Sequence, residues 1–207
     1  DFFFERSPEH ALINPDNLVI LTNHLRCAAF ELPFRDGETF GNVAFKAHLL
    51  MLLAERPDGV HVLLCERSDD DPRDAHKGQV SLPGGRRDPG DADILATALR
   101  EAREEVGLDA ARVRVLGRLD DYLTITRYHV VPFVAAIDGF DGLAPHSTEI
   151  AAVFPFPIDA MRDPARLRRV PWERLDRIEE VLFVEHDGHM VWGATARMLY
   201  HLTEITG

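Results

Sequence analysis

The chain has 207 residues, 45% of them hydrophobic and 28% charged, which suits one globular domain with a substantial core. Its formal net charge of -12 argues against nonspecific binding to nucleic acid or to an anionic membrane. No apolar run approaches the roughly 20 residues of a membrane span, and the start, DFFFERSPEH, lacks the basic-then-apolar order of a secretory signal.

Asn17 to Phe30 carries Leu18, Ile20, Leu21, Leu25 and Ala28 after Pro15-Asp16, which predicts a helix on the outside of the domain. With the loop Glu31 to Asn42 it forms an N-terminal helical extension, about residues 1–40, of a single domain spanning 1–207. Val43 to Ala54 and Val60 to Glu66 read as strands around the turn Pro57-Asp58-Gly59. Ser68 to Lys77 is a polar loop, and Val80 to Leu82 a short strand entering Pro83-Gly84-Gly85. Asp93 to Val106 is a helix that Asp91 or Asp93 can cap. Arg112 to Leu123 and Tyr128 to Ile137 are strand-rich, Asp138 to Ser147 is a loop, and Ile150 to Phe156 is a strand before a short helix, Pro157 to Met161. Val181 to His186 and His189 to Val191 make a hairpin around Asp187-Gly188, and Ala194 to Ile205 is a terminal helix. Strands predominate around a few helices, so the fold class is α+β with a mixed sheet sandwiched between helices. The two cysteines, Cys27 and Cys65, have no metal-type spacing and read as buried thiols in a reducing, cytoplasmic setting.

The chemistry concentrates in Arg100 to Leu108, REAREEVGL. At i, i+3 and i+4, Glu101, Glu104 and Glu105 share a helix face and can converge on one point. Alone, such a run is more often a solvated acidic face with local ion pairs. Here Ile94, Leu95, Ala98, Ala102 and Val106 form an apolar stripe that the glutamates flank, so they sit at the edge of a core. A cation between carboxylates turns their repulsion into attraction, and oxygen-only ligands suit Mg²⁺ or Mn²⁺ rather than zinc. An anionic phosphate substrate must also be held against the net charge, and Arg67, Arg73, His76, Lys77, Arg86 and Arg87 cluster between positions 67 and 87.

Residues 100–108 resemble the second half of the Nudix box, R-E-apolar-x-E-E-x-G-apolar, with Ala102 as the apolar position. The first half departs from the pattern. Counting back from Arg100 places Ala92 where the first Glu belongs and Arg86 where the Gly belongs; a one-residue expansion restores the glycine and brings Asp91 or Asp93 near the acidic place. Leu63-Leu64-Cys65-Glu66-Arg67-Ser68, then Arg73, His76 and Gly78-Gln79-Val80-Ser81-Leu82-Pro83-Gly84-Gly85, resemble the motif of the coenzyme A pyrophosphatase branch, with Cys65 for Thr and Leu82 for Phe. Val131 to Val134 and the late Val191 to Ala196 also resemble that branch, so the likeness covers roughly residues 40–200.

The resemblance implies a Nudix fold and metal-dependent hydrolysis of the diphosphate bridge of coenzyme A and its derivatives, to 4′-phosphopantetheine and 3′,5′-ADP. It implies Glu101 and Glu105, with Glu104 third, as metal ligands, and Arg100 holding a box glutamate by a bidentate pair. Gly84 and Gly85 are expected to form a tight turn whose N–H groups approach phosphate. Glu149, after the loop His146-Ser147-Thr148, is a candidate base, with Glu104 the alternative; a solvated loop carboxylate is an equal reading of Glu149. Arg67, Arg73 and His76 are candidates for the substrate's phosphates, including the 3′-phosphate of coenzyme A. Two rivals stand: another Nudix substrate (ADP-ribose, NADH or a nucleoside triphosphate), and a non-catalytic nucleotide-sensing module, which the retention of all three glutamates disfavours.

Overall fold

A computed structural model of the chain describes residues 45–70, 76–124, 128–174 and 177–206. The expected helix over 17–30, the loop after it, Cys27 and Arg73 lie outside the described residues.

The apolar run Leu49 to Ala54 forms the centre of β1 (Phe45–Arg56), which turns at Pro57-Asp58 into β2 (Gly59–Arg67). β3 (Val80–Ser81) and β4 (Gly84–Arg86) precede α1 (Ile94–Val106). Then come β5 (Arg114–Arg118), β6 (Tyr122–Leu123), β7 (Tyr128–Ala136) and β8 (Ile150–Pro157). The main sheet runs β3-β2-β1-β7-β5, with β4 paired to β1, β6 to β7 and β8 to β2. β1 and β7 are parallel and the other described pairings antiparallel, so the sheet is mixed.

β9 (Arg168–Arg174), β10 (Arg177–His186) and β11 (His189–Trp192) form a second, three-stranded sheet that leads into α2 (Gly193–Ile205). The hairpin at Asp187-Gly188 is as expected, with φ of 48° and 84° giving the left-handed pair a tight two-residue turn needs. β9 has no counterpart in the sequence reading. It is Arg-rich and contains Pro171, which lacks an amide N–H, and it lies at the sheet edge where proline is tolerated.

Side-chain alternation divides the core into two. Leu50, Leu52 and Ala54 of β1, Leu63 and Cys65 of β2, and Val131, Phe133 and Ala135 of β7 pack on the α1 stripe Ala98, Ala102 and Val106. Met51, Val62, Leu64, Val130 and Val134 point the other way, onto α2 and the second sheet. Each fully buried Leu or Met contributes about 1.5–3 kcal/mol. The mixed sheet is thus sandwiched between helices, as expected. The same pairing brings β4 alongside the start of β1, with Leu49 opposite Gly84 and Ala47 opposite Arg86, and so places the glycines next to α1.

Candidate active site

Two aspartates organise the entry to α1. Asp93 is the N-cap, its carboxylate accepting the Ala96 N–H at 2.8 Å. Asp91 turns inward: its Oδ2 accepts the Asp88 N–H and the Thr97 hydroxyl, each at 2.9 Å. Its two oxygens also take a bidentate pair from Arg100, Nε at 3.0 Å and Nη2 at 3.2 Å. Arg100 further donates to the Arg86 carbonyl at 2.8 Å, to Glu101 Oε1 at 3.0 Å and to Glu104 Oε2 at 3.0 Å. The Arg100 guanidinium holds the Asp91 carboxyl well below the usual carboxylate range. One guanidinium therefore ties the helix entry, β4 and two glutamates together. The bidentate partner is Asp91, not a box glutamate as expected, because the chain entering the helix brings both Asp91 oxygens onto the fork, while each glutamate presents one oxygen from the same helix.

Gly107 ends α1 in the left-handed region, φ 72°, as its position predicts. Beyond it the His146 N–H donates to the Glu105 carbonyl at 2.8 Å, and the Ser68 N–H donates to the Glu149 carbonyl at 2.7 Å. These bonds fix both ends of the loop and bring Glu149 to the site, where Arg67 Nη2 donates to its Oε2 at 3.1 Å.

Gly84 and Gly85 correct an expectation. They form strand β4, not a turn, because β1 offers a free ladder opposite them. The Gly84 N–H donates to Glu105 Oε2 at 2.9 Å, so it positions a carboxylate. A Cβ on Gly84 would lie 2.2 Å from the His48 carbonyl oxygen, and one on Gly85 would lie 2.4 Å from Glu101 Cδ. The strand requires glycine at position 84, and glycine at position 85 leaves room for the carboxylate.

A cavity of about 540 Å³ collects these groups, with Glu101, Glu105, Glu149, Arg67, His76 and Gly85 on its walls. Glu105 is only 8% exposed, and burial pushes its carboxyl up to about 7. The Glu101 and Glu149 charges push the same way, against the Gly84 N–H and Arg67. Burial also raises Glu101, against the pull of Arg100. His76 Nδ1 meets Gln79 Oε1 at 2.9 Å.

Among the described residues no three His, Cys, Asp or Glu side chains are drawn together tightly enough to grip an ion as they stand. The donor set nevertheless fits a hard divalent cation. It is oxygen-only, one carboxylate is buried and under-neutralised, and a glycine leaves room at another. Glu104 is different: its carboxylate is 57% exposed, is committed to Arg100, and is not on the cavity wall. Thr124, Thr195, Met198 and Leu49 line the cavity without having been singled out as site residues. For Thr195 a signal existed in the Val191 to Ala196 motif; for the others, ordinary core patterning hid it.

The family model of the NUDIX domain matches residues 46–177. The uncharacterized Nudix hydrolase NudL of Yersinia pestis is 32% identical over 159 residues, covering 77% of this chain and 78% of that protein, and its Yersinia pseudotuberculosis counterpart matches equally. The chain belongs to the Nudix hydrolase family. Its fold is that of the Mycobacterium smegmatis Nudix hydrolase RenU, with a TM-score of 0.54 at 21% identity over 84% of this chain and 92% of that one. Members of the family generally use divalent metal cations and act on small-molecule diphosphates. A model of the winged-helix domain of the ATP-dependent helicase HRQ1 also matches residues 13–71, less than a third of the chain and mostly outside the described residues. No helix among the described residues is long and apolar enough to cross a membrane.

Proposed function

We propose that this Nudix hydrolase cleaves the diphosphate bridge of coenzyme A and its derivatives, giving 4′-phosphopantetheine and 3′,5′-ADP. The observation that carries this reading is a juxtaposition: Arg67, His76 and Gln79, from the motif that resembles the coenzyme A pyrophosphatase branch, line the same cavity as Glu101 and Glu105. Arg73, from the same motif, is a further candidate for the 3′-phosphate. The domain is a single Nudix unit carrying an N-terminal extension, and the buried, unpaired Cys65 thiol suits the cytoplasm.

Glu101 and Glu105 would hold Mg²⁺ or Mn²⁺ in this reading, with Glu149 left as the base. When bound there, such a cation would supply positive charge and lower the pKa of water. Arg100 fixes Glu101 from behind, and the Gly84 N–H fixes Glu105, so neither carboxylate needs reorganisation during reaction. Water adds its oxygen to one phosphorus as the bond from that phosphorus to the bridging oxygen breaks. The bridging oxygen leaves with the bonding electrons as part of the departing phosphate. The proton from water passes to Glu149, whose carboxylate is open to solvent and can release it. Arg67 and His76 hold phosphate charge. Glu104 acts through Arg100 as a positioning residue.

The test is product analysis. The protein is incubated with coenzyme A, dephospho-coenzyme A, ADP-ribose and NADH, with Mg²⁺ or Mn²⁺ and with chelator. Metal-dependent 3′,5′-ADP from coenzyme A, with little product from the others, is the expected result. Equal or better cleavage of ADP-ribose or NADH discards coenzyme A and keeps the diphosphate chemistry. No cleavage of any of the four moves the chain to the sensing modules. Arg73→Ala should raise KM for coenzyme A more than for dephospho-coenzyme A; equal effects remove Arg73 from the 3′-phosphate.

A further inference from the structure

The carboxylate cavity has a neighbour. On its side away from α1 it is walled by Val130 of β7 and by Ala194 and Met198 of α2. A second cavity, of about 330 Å³, lies against Pro132, Met198 and His201. Val130 and Pro132 are two apart on one strand and so face the same side. Ala194, Met198 and His201 follow one face of α2 at i, i+4 and i+7. The two cavities therefore succeed one another along the same strand and the same helix. From Ala194 to His201 the helix advances about 10 Å. Met198, 3% exposed, belongs to both walls and forms the sill between them.

The two cavities differ in how their carboxylates are offset. The first sets Arg67, His76 and Arg86 beside Glu101, Glu105 and Glu149, two of which would hold a cation. The second cavity carries Asp120, Asp121 and Glu204 with Arg197 and His201. Asp121 is engaged by His129 at 2.6 Å and Arg118 at 3.4 Å, and the Arg197 guanidinium lies 5.8 Å from the Tyr200 ring centroid. A phosphate directed there meets three carboxylates. An uncharged chain of methylenes and amides meets an apolar sill, then acceptors for its N–H groups and donors for its carbonyls.

We propose that the second cavity is the subsite for the uncharged, amide-bearing arm of a diphosphate substrate, reached across Met198, while the anionic nucleotide end lies toward Arg67, His76 and Arg86. The orientation rests on the coenzyme A reading above. It makes His201 and Met198 specificity-determining residues for the arm.

The test uses two fillers of the groove, His201→Trp and Met198→Phe, each accepted only if it melts as the wild type does. Calorimetric titration in Mg²⁺ measures 4′-phosphopantetheine and 3′,5′-ADP separately, so that no turnover is needed. Either folded variant should raise the Kd of 4′-phosphopantetheine about tenfold, as expected when contacts and an amide hydrogen bond are lost, and His201→Trp, at a residue that lines the second cavity alone, should change that of 3′,5′-ADP by less than about twofold. Unchanged 4′-phosphopantetheine affinity in a folded variant overturns the subsite. So does a rise for 3′,5′-ADP alone, or a wild type that does not bind 4′-phosphopantetheine. Coenzyme A cleavage with unchanged arm affinity removes the subsite and leaves the reaction. Arm affinity lost from a protein that prefers ADP-ribose leaves the subsite and removes coenzyme A.

Discussion

The helices α1 and α2 are each 13 residues long and pack on opposite faces of one sheet, yet they are built on different principles. α1 has a side-chain cap, a left-handed glycine at its end and a guanidinium bonded to three carboxylates along its exposed edge. α2 has no side-chain cap and buries Ala194, Ala196, Met198, Leu199 and Leu202. Charge held in place needs partners on every side, because an unpaired buried charge is costly. Shape needs only packing. On the reading proposed above, the α1 face carries the reacting chemistry and the α2 face the shape of the substrate.

The largest effect should come from the charge of α1. Glu105→Gln keeps the size and the acceptor for the Gly84 N–H but removes the negative charge. Initial rates at saturating Mg²⁺ should fall by about a hundredfold or more, with folding retained. Near-normal turnover breaks the assignment. The same variant has a pH signature in chelator. Burial raises the folded-state pKa of Glu105 from an ordinary 4.5 to about 7, so between these values the folded protein binds more protons than the unfolded one. Stability from this group is present below about pH 4.5 and is lost as pH rises through about 7. The loss is about 3 kcal/mol. Denaturant titrations should show it in the wild type and not in Glu105→Gln, and excess Mg²⁺ should shrink it; parallel pH curves for the two proteins contradict the argument.

The two glycines divide the comparison again. Gly84→Ala forces a side chain into φ +149° and against the backbone of His48 and Leu49, which cannot swing aside. It should cost about 3 kcal/mol in denaturant melts. The atoms nearest a Cβ at Gly85 are all at the end of the Glu101 side chain, which can move. Gly85→Ala should leave stability within about 1 kcal/mol of wild type and reduce turnover about tenfold by displacing that carboxylate. Equal destabilisation by both substitutions means that Gly85 serves the strand and not the site.

Much of this was legible beforehand because it is local. The Asp93 to Val106 helix, its Gly107 end, the buried strand through Leu49 to Ala54 and the Asp187-Gly188 hairpin follow from periodicity and turn chemistry. So does the convergence of Glu101 and Glu105. What escaped depends on pairing over distance. Gly84-Gly85 read as a turn because Pro-Gly-Gly is one locally; only the ladder on β1 makes it a strand. β9 escaped because Pro171 argues against a strand until the sheet edge is known. Met198 carries no sequence signal that sets it apart from a core methionine. Glu104 matched the box but lies on the outer side of Arg100.

The smallest expected difference separates Asp91 from Asp93, which sequence spacing could not tell apart as helix cap or box acid. They sit two residues apart at the same helix entry, so substitutions at either perturb the same segment. Asp93 gives its carboxylate to a backbone N–H of the first turn, and Asp93→Ala should cost about 1 kcal/mol of stability with turnover unchanged. Asp91 gives both oxygens to Arg100, and its side chain is 7% exposed. Asp91→Asn keeps the shape and the bond to Thr97 but removes half of the charge pairing that holds Arg100 over Glu101. The guanidinium then shifts toward Glu104, and Glu101 loses its fixed rotamer. Turnover should fall several-fold, with the apparent affinity for Mg²⁺ weakened in proportion, because the defect lies in carboxylate placement and not in substrate binding. A metal titration of the rate separates the two variants. If Asp91→Asn and Asp93→Ala give the same Mg²⁺ dependence, the entry to α1 is only a cap, and the ordering of the carboxylates must come from β4 alone.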